Sequence, residues 1–437
     1  MGPRVGQEGP ELSANGESKK HDDADGLIRP FAGLRPPPER AADVMAVPYD
    51  VLTVDEARQR ARHRPWSFLH ISMPEVDLPP ETARYAPEIY AKATENMARM
   101  MEDSVLRRDP GPSLYLYRLT DGGHAQTGIV ATAPIAAYDS GRVRRHELTR
   151  PDKEDDRVRQ MEAVNAHTGP VMLAHPPSAE AEAEYAEIAK EAPDFTVTAE
   201  DGIGHTLWSI AETDRIERLT RAFAKMDALY IADGHHRCAA ASRVAARRRA
   251  ANPGHRGDEP YNGFLVVAFP STELRILGYN RVVRDLGGLD SEGFLARLAE
   301  IYHVAPSPEP VLPARRREMG MYVDGRWYRI NPSREPSSGS SPVSRLDVTL
   351  LSRRILEPIL GTGDSQSDSR IDFVGGGRGL EALEQRVDGG AAAVAFSLYP
   401  TRMEDLMAVA NAGDVMPPKS TWFEPKLADG LISYPLD

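Results

Sequence analysis

Five consecutive residues, Asp233-Gly234-His235-His236-Arg237, bring together a carboxylate, two imidazoles and a guanidinium. They follow the apolar run Ala228-Leu229-Tyr230-Ile231-Ala232 and precede an alanine-rich stretch from Cys238 to Ala250. A strand that stops at a glycine turn and restarts as a helix leaves backbone N–H groups free at the helix start, where anions bind readily. Arg237 adds a planar fork for phosphate, while Asp233, His235 and His236 are groups that move protons or hold a metal. Three readings compete here: a polar capped turn, a metal site built from Asp233 and one histidine, and an anion site centred on Gly234 and Arg237. Adjacent histidines usually diverge and no His-x-x-x-His spacing accompanies them, so the anion site leads and the metal ligands stay unassigned.

A second charged cluster runs from Arg144 to Arg157. Lys153, Glu154 and Asp155 suit the first turn of a helix beginning near Pro151, with capping and salt bridging as their use. His146 and Glu147 differ, because they fall at the end of an extended stretch where side chains can be aimed into a cleft as an acid–base pair. Arg157 and Asn165, eight apart, could share a helix face and order a substrate; a solvated face is the competing reading. The third cluster, Met416-Pro417-Pro418-Lys419-Ser420-Thr421-Trp422-Phe423-Glu424-Pro425-Lys426, is a proline-fixed loop whose Lys419, Ser420, Thr421 and Lys426 offer donors to phosphate or carboxylate, although it lacks the glycines of a P-loop. Tyr279-Asn280-Arg281 and Pro48-Tyr49-Asp50 could line a pocket or satisfy buried backbone. Arg370 to Gly377 reads as a flexible glycine turn, and Cys238 as a small buried thiol.

The elements that must position these groups alternate between helix and strand. Helices are expected at Val54–Arg62, Tyr85–Leu106, Pro151–Asn165, Ala179–Glu191 and Arg215–Met226, with strands near 114–119, 127–132 and 170–174. Beyond the central motif, 264–268 and 274–281 read as strands, and Asp324-Gly325 marks a hairpin within 319–330. The pattern predicts an α/β (α+β) fold with a mixed central sheet and surrounding helices. Residues 1–27 read as a disordered tail, 28–331 as the main domain, 332–342 as a mobile Ser/Pro/Gly segment, and 343–437 as a C-terminal segment packed on the main domain.

Composition narrows the function classes. With 437 residues and 41% hydrophobic content the chain can bury a large core. Its net charge of -12 argues against broad adhesion to nucleic acid or anionic membranes, while local basic pockets remain open. The single cysteine excludes an internal disulfide. With no apolar leader and no bilayer-length apolar stretch, the expected location is the cytoplasm. The oligomeric state is left open.

The order of Arg29-Pro30-Phe31-x-Gly33-Leu34-Arg35, Pro48-Tyr49-Asp50, His146-Glu147, Asp233 to Arg237, Tyr279 to Arg281, Arg370 to Phe373 and Met416 to Thr421 resembles the domain of unknown function 1015 family. The Asp-Gly-His-His-Arg string also resembles that of free L-serine kinases of the ParB and sulfiredoxin superfamily. That resemblance implies a ParB/sulfiredoxin-like core and phosphoryl transfer to or from a small hydroxyl substrate such as serine. ADP, ATP or pyrophosphate would be donor, with Mg²⁺ as cofactor. It further implies that Asp233 orients or deprotonates the hydroxyl, His235 and His236 contact phosphate or shuttle a proton, and Arg237 stabilises the transferred group. Glu147 is a candidate general base on its chemistry and placement alone. A phosphate-binding regulator and a metal-assisted phosphatase are the alternatives.

Overall fold

The computed structural model describes residues 26–334, 341–363 and 368–437. The expected tail and mobile segment therefore lie largely outside the described residues. At their described edges, Leu27 is fully buried in the core and Asn331–Pro332 complete a strand, so both assignments overreach into folded chain.

The first sheet has eight strands: β1 (Leu114–Asp121), β2 (His124–Pro134), β3 (Val143–Arg144), β4 (Val171–His175), β5 (Phe195–Thr198), β6 (Gly204–Ile210), β7 (Leu229–Asp233) and β8 (Gly263–Pro270). Their order is β3-β7-β4-β8-β2-β1-β6-β5. β7 runs parallel to β3, and β8 parallel to β4; every other pairing is antiparallel, so the sheet is mixed as expected. β8 is buried along its whole length, which matches the unbroken apolar run Phe264 to Phe269 of a strand covered on both faces.

Helices cover this sheet, and three bear on the site: α1 (Pro87–Glu102), α2 (Pro151–Val164) and α3 (His235–Ala251). α3 buries Ala240, Ala241 and Ala245, small side chains that let its axis approach its neighbours closely. It is laced to α2 by Arg243, which reaches Glu154 at 3.1 Å and Asp155 at 2.5 Å. The acidic first turn of α2 thus has the structural use read from its sequence.

The second sheet is antiparallel throughout: β9 (Tyr279–Val283), β10 (Tyr302–Ser307), β11 (Met319–Val323), β12 (Arg326–Pro332), β13 (Ile371–Gly375) and β14 (Val394–Leu398), in the order β10-β12-β11-β14-β9-β13. The β11–β12 turn is Asp324-Gly325, both at positive φ, the geometry a tight primed hairpin requires. β13 and β14 lie beyond residue 343 yet interleave with strands before it. The division at 332–342 therefore cuts through one sheet; the change from one sheet to the other falls between Pro270 and Tyr279. The hairpin β5–β6 and strand β13 were not read from sequence. No helix among the described residues is long and apolar enough to cross a membrane.

Candidate active site

β3 and β7 lie side by side and parallel, so both end on the same edge of the sheet. That one pairing brings the first two sequence clusters together. Asp233 closes β7, Gly234 turns at φ +104, and α3 starts at His235. Residues 146 and 147 leave β3 beside it. The third cluster joins through its backbone, because Met416 N–H donates to the His146 carbonyl at 2.8 Å.

The histidines hold the turn. His146 and His235 are buried, and their rings meet edge to face at 4.4 Å. The His146 N–H points at His235 Nε2 at 3.4 Å, which leaves His235 Nδ1 as the N–H position, 3.6 Å from Glu147 Oε2. Burial pushes the His146 imidazole down to about 4. It lowers His235 too, with the His146 ring adding to the effect, so both are neutral at pH 7. His236 faces the other way and accepts the Arg150 N–H at 3.1 Å on Nε2.

Asp233 is the electrostatic centre. Its Oδ2 lies 3.3 Å from Lys426 Nζ and 3.7 Å from Arg237 Nη2. Burial alone would raise this carboxyl, but Lys426 and Arg237 outweigh it and hold it well below the usual carboxylate range. Arg237 in turn reaches Asp50 Oδ2 at 3.7 Å and donates from Nη1 to the Pro170 carbonyl. Burial disfavours its charge, and the carboxylates of Asp233 and Asp50 more than restore it. Its guanidinium lies beneath the turn: a Cβ on Gly234 would sit 3.1 Å from its Cζ. The expected open phosphate fork is therefore a buried tie between Asp233, Asp50 and Pro170. Helical side chains lean toward the N-terminus, which folds a residue in the first turn back onto the strand end.

Glu147 is half-buried, with 35% of its side chain exposed. Burial raises its carboxyl; the Lys419 charge opposes this and nearby Asp233 reinforces it. A raised carboxyl is a better proton acceptor than an ordinary glutamate, which suits a general base. Lys419 sits at φ +59, with Nζ 5.7 Å from the Tyr279 ring centre. Its neighbour Ser420 is buried and spends its hydroxyl on the Pro417 carbonyl at 2.6 Å, so it shapes the loop. Thr421 is partly exposed.

Other candidates take scaffold positions. Arg281 is 2% exposed, donates to the carbonyls of Tyr279 at 2.6 Å and Pro418 at 3.2 Å, and packs on Phe373. Asn280 accepts from Leu398 N–H at 3.1 Å, and Tyr279 stands edge-on to Trp422. Arg281 and Tyr279 thus bracket the Pro417–Lys419 loop, while Asn280 pins the end of β14. Asn165 does not share a face with Arg157. It ends α2 in the left-handed region at φ 49, accepts from Arg248 at 2.7 Å, and so is a cap. Arg157 does lie near the site, clamped on Asp156 at 2.6 Å and stacked 4.0 Å over Tyr49, whose neighbour is Asp50.

The family model described as "Protein of unknown function (DUF1015)" matches residues 28–349. The chain belongs to that family. Among curated proteins none matches the DUF1015 chain. Solved structures similar to it include a free serine kinase in complex with AMP, 13% identical, with TM-score 0.31, covering 67% of this chain and 86% of that one. A conserved hypothetical protein from Pyrococcus furiosus is 13% identical, with TM-score 0.31 and coverage of 69% and 93%. SbnI with C-terminal truncation, from Staphylococcus aureus, is 11% identical, with TM-score 0.35 and coverage of 69% and 85%.

Three further residues surround the DUF1015 turn: Asp50 and Lys426, which sequence offered as a pocket lining and a hydrogen-bond donor to phosphate, and Asp429, which escaped the sequence reading of the site. Asp429 is 2% exposed and its Oδ2 has no hydrogen-bond partner among the described residues. Burial pushes its carboxyl up to about 7, against the pull of Arg237. Its backbone pairs with that of Ala46 in both directions, which ties the C-terminal loop to the loop that carries Asp50. The one sequence signal for it is the turn pair Asp429-Gly430, with Gly430 at φ +87. Cys238 is fully buried, and burial raises its thiol, as a structural cysteine requires.

Proposed function

We propose that this protein is a phosphotransferase acting on a small hydroxyl metabolite, with free L-serine as the first substrate to test. The observation that carries this reading is the meeting of two carboxylates from adjacent parallel strand ends, Asp233 and Glu147, at the start of a long helix beside Lys426 and Lys419. Phosphoryl transfer depends chiefly on positioning and charge neutralisation, and this set supplies both. Glu147 takes the hydroxyl proton; the freed oxygen forms a bond to phosphorus; the bond from phosphorus to the donor oxygen breaks, and its electrons leave with the donor. Lys426, Lys419 and the first N–H groups of α3 meet the negative charge of the transferred group. Arg237 acts from below by fixing Asp233 and Asp50.

Mg²⁺ fits this scheme as an ion carried by the donor phosphates. Such ions need only one or two protein carboxylates, and no cluster of three or more His, Cys, Asp or Glu side chains suited to a metal occurs among the described residues. Asp233 would share it, and the ion would supply further neutralisation of phosphate charge.

The test is phosphorus NMR of the protein with L-serine, Mg²⁺ and each of ATP, ADP and pyrophosphate. Phosphoserine should form with at least one donor, and Glu147→Gln should lower the rate by roughly 100-fold or more. Absence of phosphoserine with every donor overturns the reading. Thermal stabilisation by phosphate compounds without turnover would then identify a regulator, and phosphate release without acceptor a hydrolase.

A further inference from the structure

A cavity of about 280 Å³ adjoins the site, and Lys426 belongs to both. The Lys426 Nζ reaches Asp233 at 3.3 Å and also lies 5.0 Å from the centre of the Trp422 ring, which lines the cavity. Met45, Val51 and Leu69 supply apolar wall around it. The volume is at the low end for small-molecule sites, enough for one ring system and too small for a whole nucleotide.

Trp422 is fixed as a wall. Its Nε1–H donates to Glu424 Oε1 at 2.8 Å, and its ring rests on Gly375, where a Cβ would come within 2.6 Å of it. The glycine run after Phe373, read from sequence as a flexible turn, is thus the seat of an indole. Arg60 and Arg64, at the cavity margin, pair with Glu200 at 3.7 and 3.6 Å. His205 is tied through Nδ1 to the Tyr117 hydroxyl at 2.6 Å, and burial keeps it uncharged at neutral pH. Lys426 is then the cation that connects the cavity to the Asp233 turn. A cavity with apolar wall and an indole on one side takes an aromatic heterocycle by stacking, which tolerates any base.

We infer that this cavity seats the nucleobase of a nucleotide, stacked on Trp422, with its phosphates running past Lys426 to the start of α3. The role of those phosphates rests on the phosphotransfer reading; the binding of the ring does not.

Calorimetry with adenosine, ADP and pyrophosphate on the full chain separates the two. Adenosine should bind, and ADP should bind at least about tenfold more tightly than either adenosine or pyrophosphate. Ala199→Trp, which fills the slot from its partly exposed edge, should abolish adenosine binding and leave pyrophosphate binding within about twofold. Its thermal midpoint checks folding. Irradiation of the unmodified protein with 8-azidoadenosine needs no variant and should label the peptide containing Trp422. Equal affinity for ADP and pyrophosphate, adenosine binding that survives Ala199→Trp, or labelling elsewhere overturns the inference. If adenosine binds here and no phosphoserine forms, the cavity assignment stands and the phosphotransfer reading fails; phosphoserine from pyrophosphate without adenosine binding gives the reverse.

Discussion

Two buried arginines stand near the edges of the two sheets, and their surroundings differ. Arg237 faces two carboxylates, Asp233 and Asp50, and its charge is favoured despite burial. Among the described residues Arg281 bonds to carbonyl oxygens and packs on aromatic rings; burial pulls it down to about 9, with Tyr279 opposing. The first guanidinium is part of a buried ionic cluster. The second is a bracket that holds a loop. A polar motif in sequence does not distinguish these uses, because what decides is which partners the fold brings to it.

The largest test of that contrast is Arg237→Met. Removing one partner from a buried ionic cluster costs about 3–5 kcal/mol, toward the low end here because Asp50 is partly wet, and phosphate-dependent stabilisation should vanish with it. Denaturant unfolding with and without phosphate measures both, and an unchanged response to phosphate would remove Arg237 from the site. Arg281→Met should cost about 2 kcal/mol, since the Tyr279 and Pro418 carbonyls lose their donor. It should leave ligand affinity nearly intact; loss of binding at unchanged stability would make Arg281 a ligand contact after all.

Asp429 sharpens the comparison from the carboxylate side. Its folded value, about 7, lies above the value near 3.9 expected when unfolded. Between those limits the native state holds a proton that the unfolded state has released. Its contribution is complete below about pH 4 and is lost as pH rises toward 7, at up to about 1.4 kcal/mol per pH unit. The buried histidines act in the opposite sense, losing stability as pH falls through the range from about 6.5 toward 4. Subtracting the pH–stability curve of Asp429→Asn from that of the unmodified protein isolates the carboxylate; a flat difference would sink the assignment. The smallest effect is expected at Gly234, where Ala should cost about 1 kcal/mol for the positive φ and the crowding of Arg237, read from the thermal midpoint.

Much of the central turn was legible from sequence. An apolar run, a glycine and a helix-forming stretch are local signals, and they correctly marked a strand–turn–helix at Asp233 to Arg237. The direction of the Arg237 side chain was not legible, because it depends on the Pro170 carbonyl and on Asp50, both far away in sequence. Meeting of Glu147 with Asp233 required the β3–β7 pairing, and β3 is only two residues long. The convergence of Asp50, Lys426 and Asp429 was not legible, because they come from a short helical turn and loops near opposite ends of the described chain, where periodicity carries no information. Asn165 was misread because a helix face was extended one residue too far; asparagine's tolerance of left-handed backbone is the warning that sequence did contain.

The Lys426–Asp233 contact spans 193 positions of sequence. During synthesis the strand and turn around Asp233 leave the ribosome well before their counter-charge has been polymerised. For that interval the nascent chain holds its acidic residue without the lysine that later neutralises it. Until the distal loop is made, Arg237 is the cation at hand for Asp233, and Lys426 completes the pairing last.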